Sequence, residues 1–164
     1  YTWHYQGKLH RIGGPAEYDE NGTYEKWFFH DHLHREEGPA SITVDSDGTT
    51  TKEWYYLGQP HRIGGPAVET KNKEEWWVNG LKHREDGPAI RIVSMSGKVS
   101  EVWYINGKRH REDGPAEIIT YPPKNGKSTV KKIYWWKGMK VSYKNYLAEK
   151  AKSPKENSTE NLTL

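Results

Sequence analysis

The chain has 164 residues, of which 33% are hydrophobic and 13% aromatic, with no cysteine and a net charge of +3. That length suits one domain, the absence of cysteine excludes disulfides and thiolate metal sites, and no apolar run reaches the length of a membrane helix. Eight Trp and eleven Tyr against two Phe point to a fold held by ladders of flat amphipathic rings rather than by an aliphatic core.

The chain opens on Tyr1 inside a copy of a repeat and without an initiating Met, as expected of a fragment or a processed product, with room for further copies before it. Trp3 is followed seven residues on by His10, and the same spacing joins Trp27 to His34, Trp54 to His61, Trp76 to His83 and Trp103 to His110. Each of these histidines begins a segment His-Arg-x-x-Gly-Pro-Ala, which ends at Ala16, Ala40, Ala67, Ala89 and Ala116. A sixth copy from Tyr134 through Trp135, Trp136 and Gly138 keeps the rings and the Gly but carries Val141-Ser142 where His-Arg stands elsewhere. Self-similarity at a fixed period marks a repeat architecture.

Asn79-Gly80 and Asn106-Gly107 lie between β-formers, the strongest short hairpin signal, since both turn residues need positive φ. A two-residue turn at Asn106-Gly107 pairs Ile105 with Lys108, Tyr104 with Arg109 and Trp103 with His110. Alternation then puts Trp103, Ile105, Lys108 and His110 on one face, and Tyr104, Arg109 and Arg111 on the other. The same register sets Arg62 opposite Glu53 and Arg84 opposite Glu75. Gly-Pro reads as a kink or bulge on the returning strand, because Pro cannot donate to a ladder. Short β-rich runs follow at Ser41–Val44, Ile90–Val93 and Glu117–Thr120, then a second, variable turn leads into the next Trp. The fold class predicted is all-β: about six antiparallel hairpins in an extended meander over 1–142. A short capping helix is expected at 143–152 and a disordered polar tail at 153–164.

Charge is unevenly spread. Residues 1–123 carry 15 Lys and Arg against 19 Asp and Glu, a net −4, while residues 124–164 carry 10 against 3, a net +7. An acidic array does not suit long duplex nucleic acid, which needs an electropositive footprint.

The unit from Trp103 to Ala116, Trp-aromatic-x-Asn-Gly-x-x-His-Arg-Glu-Asp-Gly-Pro-Ala, resembles a repeat of bacteriophage and giant-virus proteins that is itself similar to MORN repeats. The resemblance covers about Tyr1 to Ser142. It implies an extended antiparallel meander, a scaffold role, and a viral setting in the virion or the host cytoplasm. The His-Arg-x-x-Gly-Pro-Ala half departs from the usual MORN pattern, which is richer in Gly.

Equivalent histidines of neighbouring copies lie about 9.5 Å apart if each copy contributes two strands, too far to share a zinc ion bound at about 2.0–2.1 Å. His30, His32 and His34 form the exception, two of them on one strand face and one in the turn. Catalysis has little support, because a catalytic site needs different residues in different roles, whereas each His and Arg here recurs five times in one context. No cofactor is expected. The chain therefore reads as a non-enzymatic binding protein, with a protein partner as first reading. A nucleotide or short nucleic acid, sequestered as a host signal, is the second, and a glycan the third. The surface expected to bind is Tyr55, Trp77 and Tyr104 with Arg62, Arg84 and Arg111, placed together on the face away from the Trp–His pairs. Convergence of Arg residues from adjacent copies in one pocket would favour the nucleotide.

Overall fold

The computed structural model describes residues 1–153. The polar segment expected to be disordered lies, from 154 onward, outside the described residues. The turns form as the sequence predicts: Asn79 and Gly80 adopt φ of 49° and 74°, and Asn106 and Gly107 adopt 48° and 77°. Left-handed residues at both positions match the twist of the flanking strands. The other copies use the same conformation with Gln6-Gly7, His30-Asp31, Leu57-Gly58 and Lys137-Gly138. The register is also as predicted, with Tyr104 opposite Arg109 and Ile105 opposite Lys108. The Trp–His spacing closes each hairpin: the N–H of His10, His34, His61, His83 and His110 donates to the carbonyl of the Trp seven residues before it, at 3.0–3.2 Å.

The strands do not run uninterrupted beyond that pair. Each Trp N–H donates to the carbonyl of the Ala that ends its own copy, from Trp3 to Ala16 at 2.7 Å through Trp103 to Ala116 at 2.8 Å. Trp is therefore a corner. On one side of it stand five two-stranded hairpins, such as Tyr104–Ile105 with Lys108–Arg109. On the other runs an antiparallel sheet of 11 strands in sequence order, from Glu17–Tyr18 to Met139–Val141. The fold is an all-β meander of hairpins. Successive hairpins are joined by two main-chain bonds each: Arg84 N–H to the Tyr104 carbonyl at 3.1 Å and Gly107 N–H to the Lys82 carbonyl at 2.9 Å, with equivalents along the chain.

Gly-Pro is more than a kink. After the Arg N–H, which still bonds the next copy, the stretch to Pro leaves the ladder and returns at Ala. Ala16, Ala40, Ala67, Ala89 and Ala116 have no exposed surface, so a column of methyl groups takes the place of a core. Few larger apolar side chains are buried, among them Ile90, Val102, Trp136 and Tyr146. The sixth copy ends differently. Ser142, in the place of Arg, caps the helix Tyr143–Lys152 by accepting from the Asn145 N–H at 3.2 Å. Tyr146 of that helix packs against Tyr134 and Trp136, with ring centroids 4.9 and 5.9 Å apart, and closes the end of the ring ladder.

Candidate functional site

The repeated arginines turn onto the Trp side, against the expectation from strand alternation. Their guanidinium carbons lie over the Trp of the same copy: 4.3 Å for Arg11 on Trp3, 3.9 Å for Arg35 on Trp27, 3.8 Å for Arg62 on Trp54, 3.9 Å for Arg84 on Trp76 and 4.2 Å for Arg111 on Trp103. Alternation fails because the hairpin strand ends before His: the Arg N–H bonds the next copy instead of its own hairpin, so counting along one strand no longer gives its face. The same guanidinium closes the loop that follows. Arg62 donates to the Pro66 carbonyl at 3.0 Å, and Arg84 to Asp86 at 2.8 Å. A Cβ on Gly65 or Gly87 would stand 2.8 Å from the guanidinium carbon, so a larger residue before Pro there would push the Arg from its place. The expected pairs Arg62–Glu53 and Arg84–Glu75 do not form. Arg62 faces Glu69 at 3.7 Å instead, while Glu75 pairs with Lys73 at 2.8 Å.

The histidines have a different task. Nδ1 of His10, His34, His61, His83 and His110 accepts from the first turn residue of the next copy: His30 at 3.4 Å, Leu57 at 3.4 Å, Asn79 at 3.0 Å, Asn106 at 3.1 Å and Lys137 at 3.3 Å. Each His is thus a rivet between copies. The sixth copy joins a helix rather than another hairpin, and Val141 suffices there. His34 is committed to this bond, and the His30 ring lies 4.5 Å from His10. Among the described residues no group of three or more His, Cys, Asp or Glu is placed to hold a metal ion, including His30, His32 and His34.

Burial pushes the His110 imidazole below its usual range; Glu112 pulls the other way and Lys137 adds to the shift. A base depressed in the fold stabilises it above the pKa of an unfolded imidazole, about 6.5. That stability is lost as pH falls through the lower, folded value, since the unfolded chain takes the proton first. The urea midpoint should therefore drop as pH falls below about 6.5, and His110→Gln should flatten the drop. An identical pH profile in that variant would remove His110 as its source.

Tyr55, Trp77 and Tyr104 hold equivalent positions in successive hairpins, and the cations beside the last two are not the expected ones. Lys82 lies 4.9 Å from the Trp77 ring and 5.6 Å from Tyr104. Arg109 lies 5.8 Å from Tyr104 and 4.7 Å from Trp135, and donates to Tyr104 Oη at 2.9 Å. These cations occupy the position just before each His, where the first three copies have Leu9, Leu33 and Pro60. The three rings are half-buried; Trp77 donates to Glu75 at 3.0 Å, and Arg109 to Glu117 at 3.2 Å. The Tyr55 hydroxyl is pushed above its usual range by burial and by the charges of Glu53 and Glu75.

A second row escaped the sequence reading. The residue just before each turn is Tyr5, Phe29 and Tyr56 in the first three copies, and these rings are 54%, 44% and 52% exposed. Histidines fill the gaps between them: Tyr5–His10 5.6 Å, His10–Phe29 5.0 Å, Phe29–His34 5.9 Å, His34–Tyr56 4.8 Å and Tyr56–His61 6.2 Å between centroids. Ile12 and Ile63, in loops of the first and third copies, are 88% and 75% exposed. The signal is the recurrence of Tyr5, Phe29 and Tyr56 before the turn, and it is masked because the fourth and fifth copies have Val78 and Ile105 there.

Comparison with protein-family models, with curated proteins and with solved structures finds no match to the chain. The site must be judged on its own geometry. Two grooves open between copies. One of about 490 Å³ is lined by Arg35, Glu36, Trp54, Tyr56, Arg62 and Ile63. Another of about 740 Å³ is lined by Arg84 and Arg111 together with Glu85, Asp86, Glu112 and Asp113. Arginines of adjacent copies meet in both, but carboxylates outnumber them in the second.

Proposed function

We propose that the chain is a non-enzymatic scaffold that binds a protein partner along the Tyr5–Phe29–Tyr56 row. One observation carries this reading: three large rings and two isoleucines stand exposed on a rigid array, with their spacing fixed by main-chain bonds. Exposed apolar patches of that kind mark interaction surfaces, and preformed geometry limits the entropy lost on docking. The row replaces Tyr55, Trp77 and Tyr104 as the contact surface because Trp77 and Tyr104 are already engaged by Lys82, Arg109 and Glu75 and Tyr55 is half-buried. Each Arg and His of the signature has a structural bond in every copy, which supports a binding role over catalysis. The MORN-like assignment and a viral setting rest on the sequence resemblance.

The test is cross-linking of the purified chain in host lysate, read by mass spectrometry, against Phe29→Ser combined with Tyr56→Ser. A partner captured by the parent and lost by a double variant with the same melting temperature supports the row. Equal capture by both would place the contact elsewhere.

The groove between Arg35 and Arg62 favours a second reading, a nucleotide held between copies, with phosphates on the guanidinium edges and a base against Tyr56. Calorimetric titration with a nucleoside monophosphate, a triphosphate and a cyclic dinucleotide separates the two. Saturable heat that disappears in Arg62→Gln supports the nucleotide, and absence of heat with all three excludes it.

A further inference from the structure

We propose that the free edge of the strand Lys127–Trp136 is a docking site for an acidic, extended segment of a partner protein, which adds to the sheet as another antiparallel strand. This surface lies at the end of the array opposite Tyr5, and the inference does not depend on the aromatic row. From Lys127 to Ile133 the strand pairs with Glu117–Lys124, with a register shift between Tyr121 and Lys124. On its other side Met139–Val141 covers only Tyr134, Trp135 and Trp136. Among the described residues, then, the edge from Lys127 to Ile133 has no strand partner, over a length of about 24 Å at about 3.4 Å per residue. Every residue from Lys127 to Lys132 is exposed, so the helix does not cover it.

The two edges of this projecting hairpin differ. Pairing with Val99–Val102 ends at Thr120, so Tyr121–Lys124 also overhangs, but that overhang carries Pro122 and Pro123. Proline has no N–H to give a new strand and closes that edge. The Lys127–Ile133 edge has no proline and is guarded only by charge: Lys127, Lys131 and Lys132, with no acidic residue in the strand. Edge lysines oppose pairing with a like strand. A second copy would bring three more lysines to the same ladder, so self-pairing is disfavoured. An acidic strand meets attraction where a copy meets repulsion. Lys127 and Lys131 project from one face and Lys132 from the other, so the fitting segment has carboxylates on both of its faces. Main-chain bonds would supply affinity and the lysines selectivity, as in other strand additions.

The probe is a fluorescein-labelled peptide, acetyl-Glu-Glu-Val-Thr-Val-Glu-Glu, titrated with the full chain and read by anisotropy. Two further peptides of the same sequence carry N-methyl groups on alternate residues, one on each set. Strand addition requires that one methylated peptide bind like the parent and the other lose binding, because only one set of N–H groups faces the array. The exposed triple variant Lys127→Glu, Lys131→Glu, Lys132→Glu should weaken the unmodified peptide about tenfold or more, and added salt should weaken it in the parent. Equal binding by both methylated peptides would reduce the contact to surface charge and overturn the proposal. So would failure of the unmodified peptide to bind, an affinity indifferent to the triple reversal, or sedimentation showing a dimer of the chain that the reversal dissociates.

Discussion

Trp76→Ala is expected to lower the unfolding free energy by about 3 kcal/mol, and Trp3→Ala by about 1 kcal/mol. Trp76 stands at the corner between sheet and hairpin in a central copy. Arg84 covers its ring at 3.9 Å, and that guanidinium in turn holds Asp86 and the Pro88 carbonyl. Truncation removes the ring and releases the loop together. Trp3 is 47% exposed and sits in the first copy, so it has less to lose and one neighbour fewer. The indole nitrogen of Trp76 is buried with no hydrogen-bond partner among the described residues. The ring is therefore held by packing and by the cation, not by its N–H. Trp76→Phe keeps a ring beneath Arg84 and removes the unpaired donor, and it should recover more than half of the alanine loss. Urea midpoints of the three variants check the argument. Equal midpoints for Trp3→Ala and Trp76→Ala would contradict an array whose stability is summed copy by copy.

The parts legible in the sequence are those fixed by short-range physics. Asn79-Gly80 and Asn106-Gly107 announce left-handed turns whatever surrounds them, and a two-residue turn leaves one register, which paired Trp103 with His110 correctly. The end of the array was legible as well, because 143–152 reads as a short helix closing it, though the role of Ser142 as its N-cap was not. What failed was alternation carried past a break. Arg62, Arg84 and Arg111 were assigned by counting residues along a strand that stops at the preceding His, and the counted face is wrong once the ladder ends. The role of the histidines was hidden for another reason. The bond from Nδ1 of His83 reaches Asn106 in the following copy, and no spacing within one copy carries that information. Lys82 and Arg109 were passed over because their position is not constant between copies, yet it is that variation which makes the second half of the row cationic. The exposed ring row hid in the same way, behind Val78 and Ile105.

Ala67→Leu is expected to cost about 3 kcal/mol, the upper part of the range for forcing extra methyl groups into a filled site. Ala67 has no exposed surface. Its main chain cannot withdraw either, because its carbonyl accepts from Trp54 at 2.8 Å and its N–H donates to the Glu75 carbonyl at 2.8 Å. A longer side chain must displace Trp54 or part the sheet between Thr50–Glu53 and Lys73–Glu75, which Val68–Thr70 joins. Because each copy touches only its neighbours, the damage should stay local and uncouple the two halves of the array. Amide hydrogen exchange should then show lost protection in Val68–Thr70 and its two partner strands, while Val99–Val102 and Glu117–Lys124 keep theirs. A graded series separates crowding from simple loss of fit. Ala67→Gly should cost about 1 kcal/mol through backbone entropy alone, Ala67→Ser little more, and Val and Leu progressively more. The leucine variant melting with the parent would show that the alanine column is not packed tight and that the copies are held by the Trp, Arg and His contacts alone.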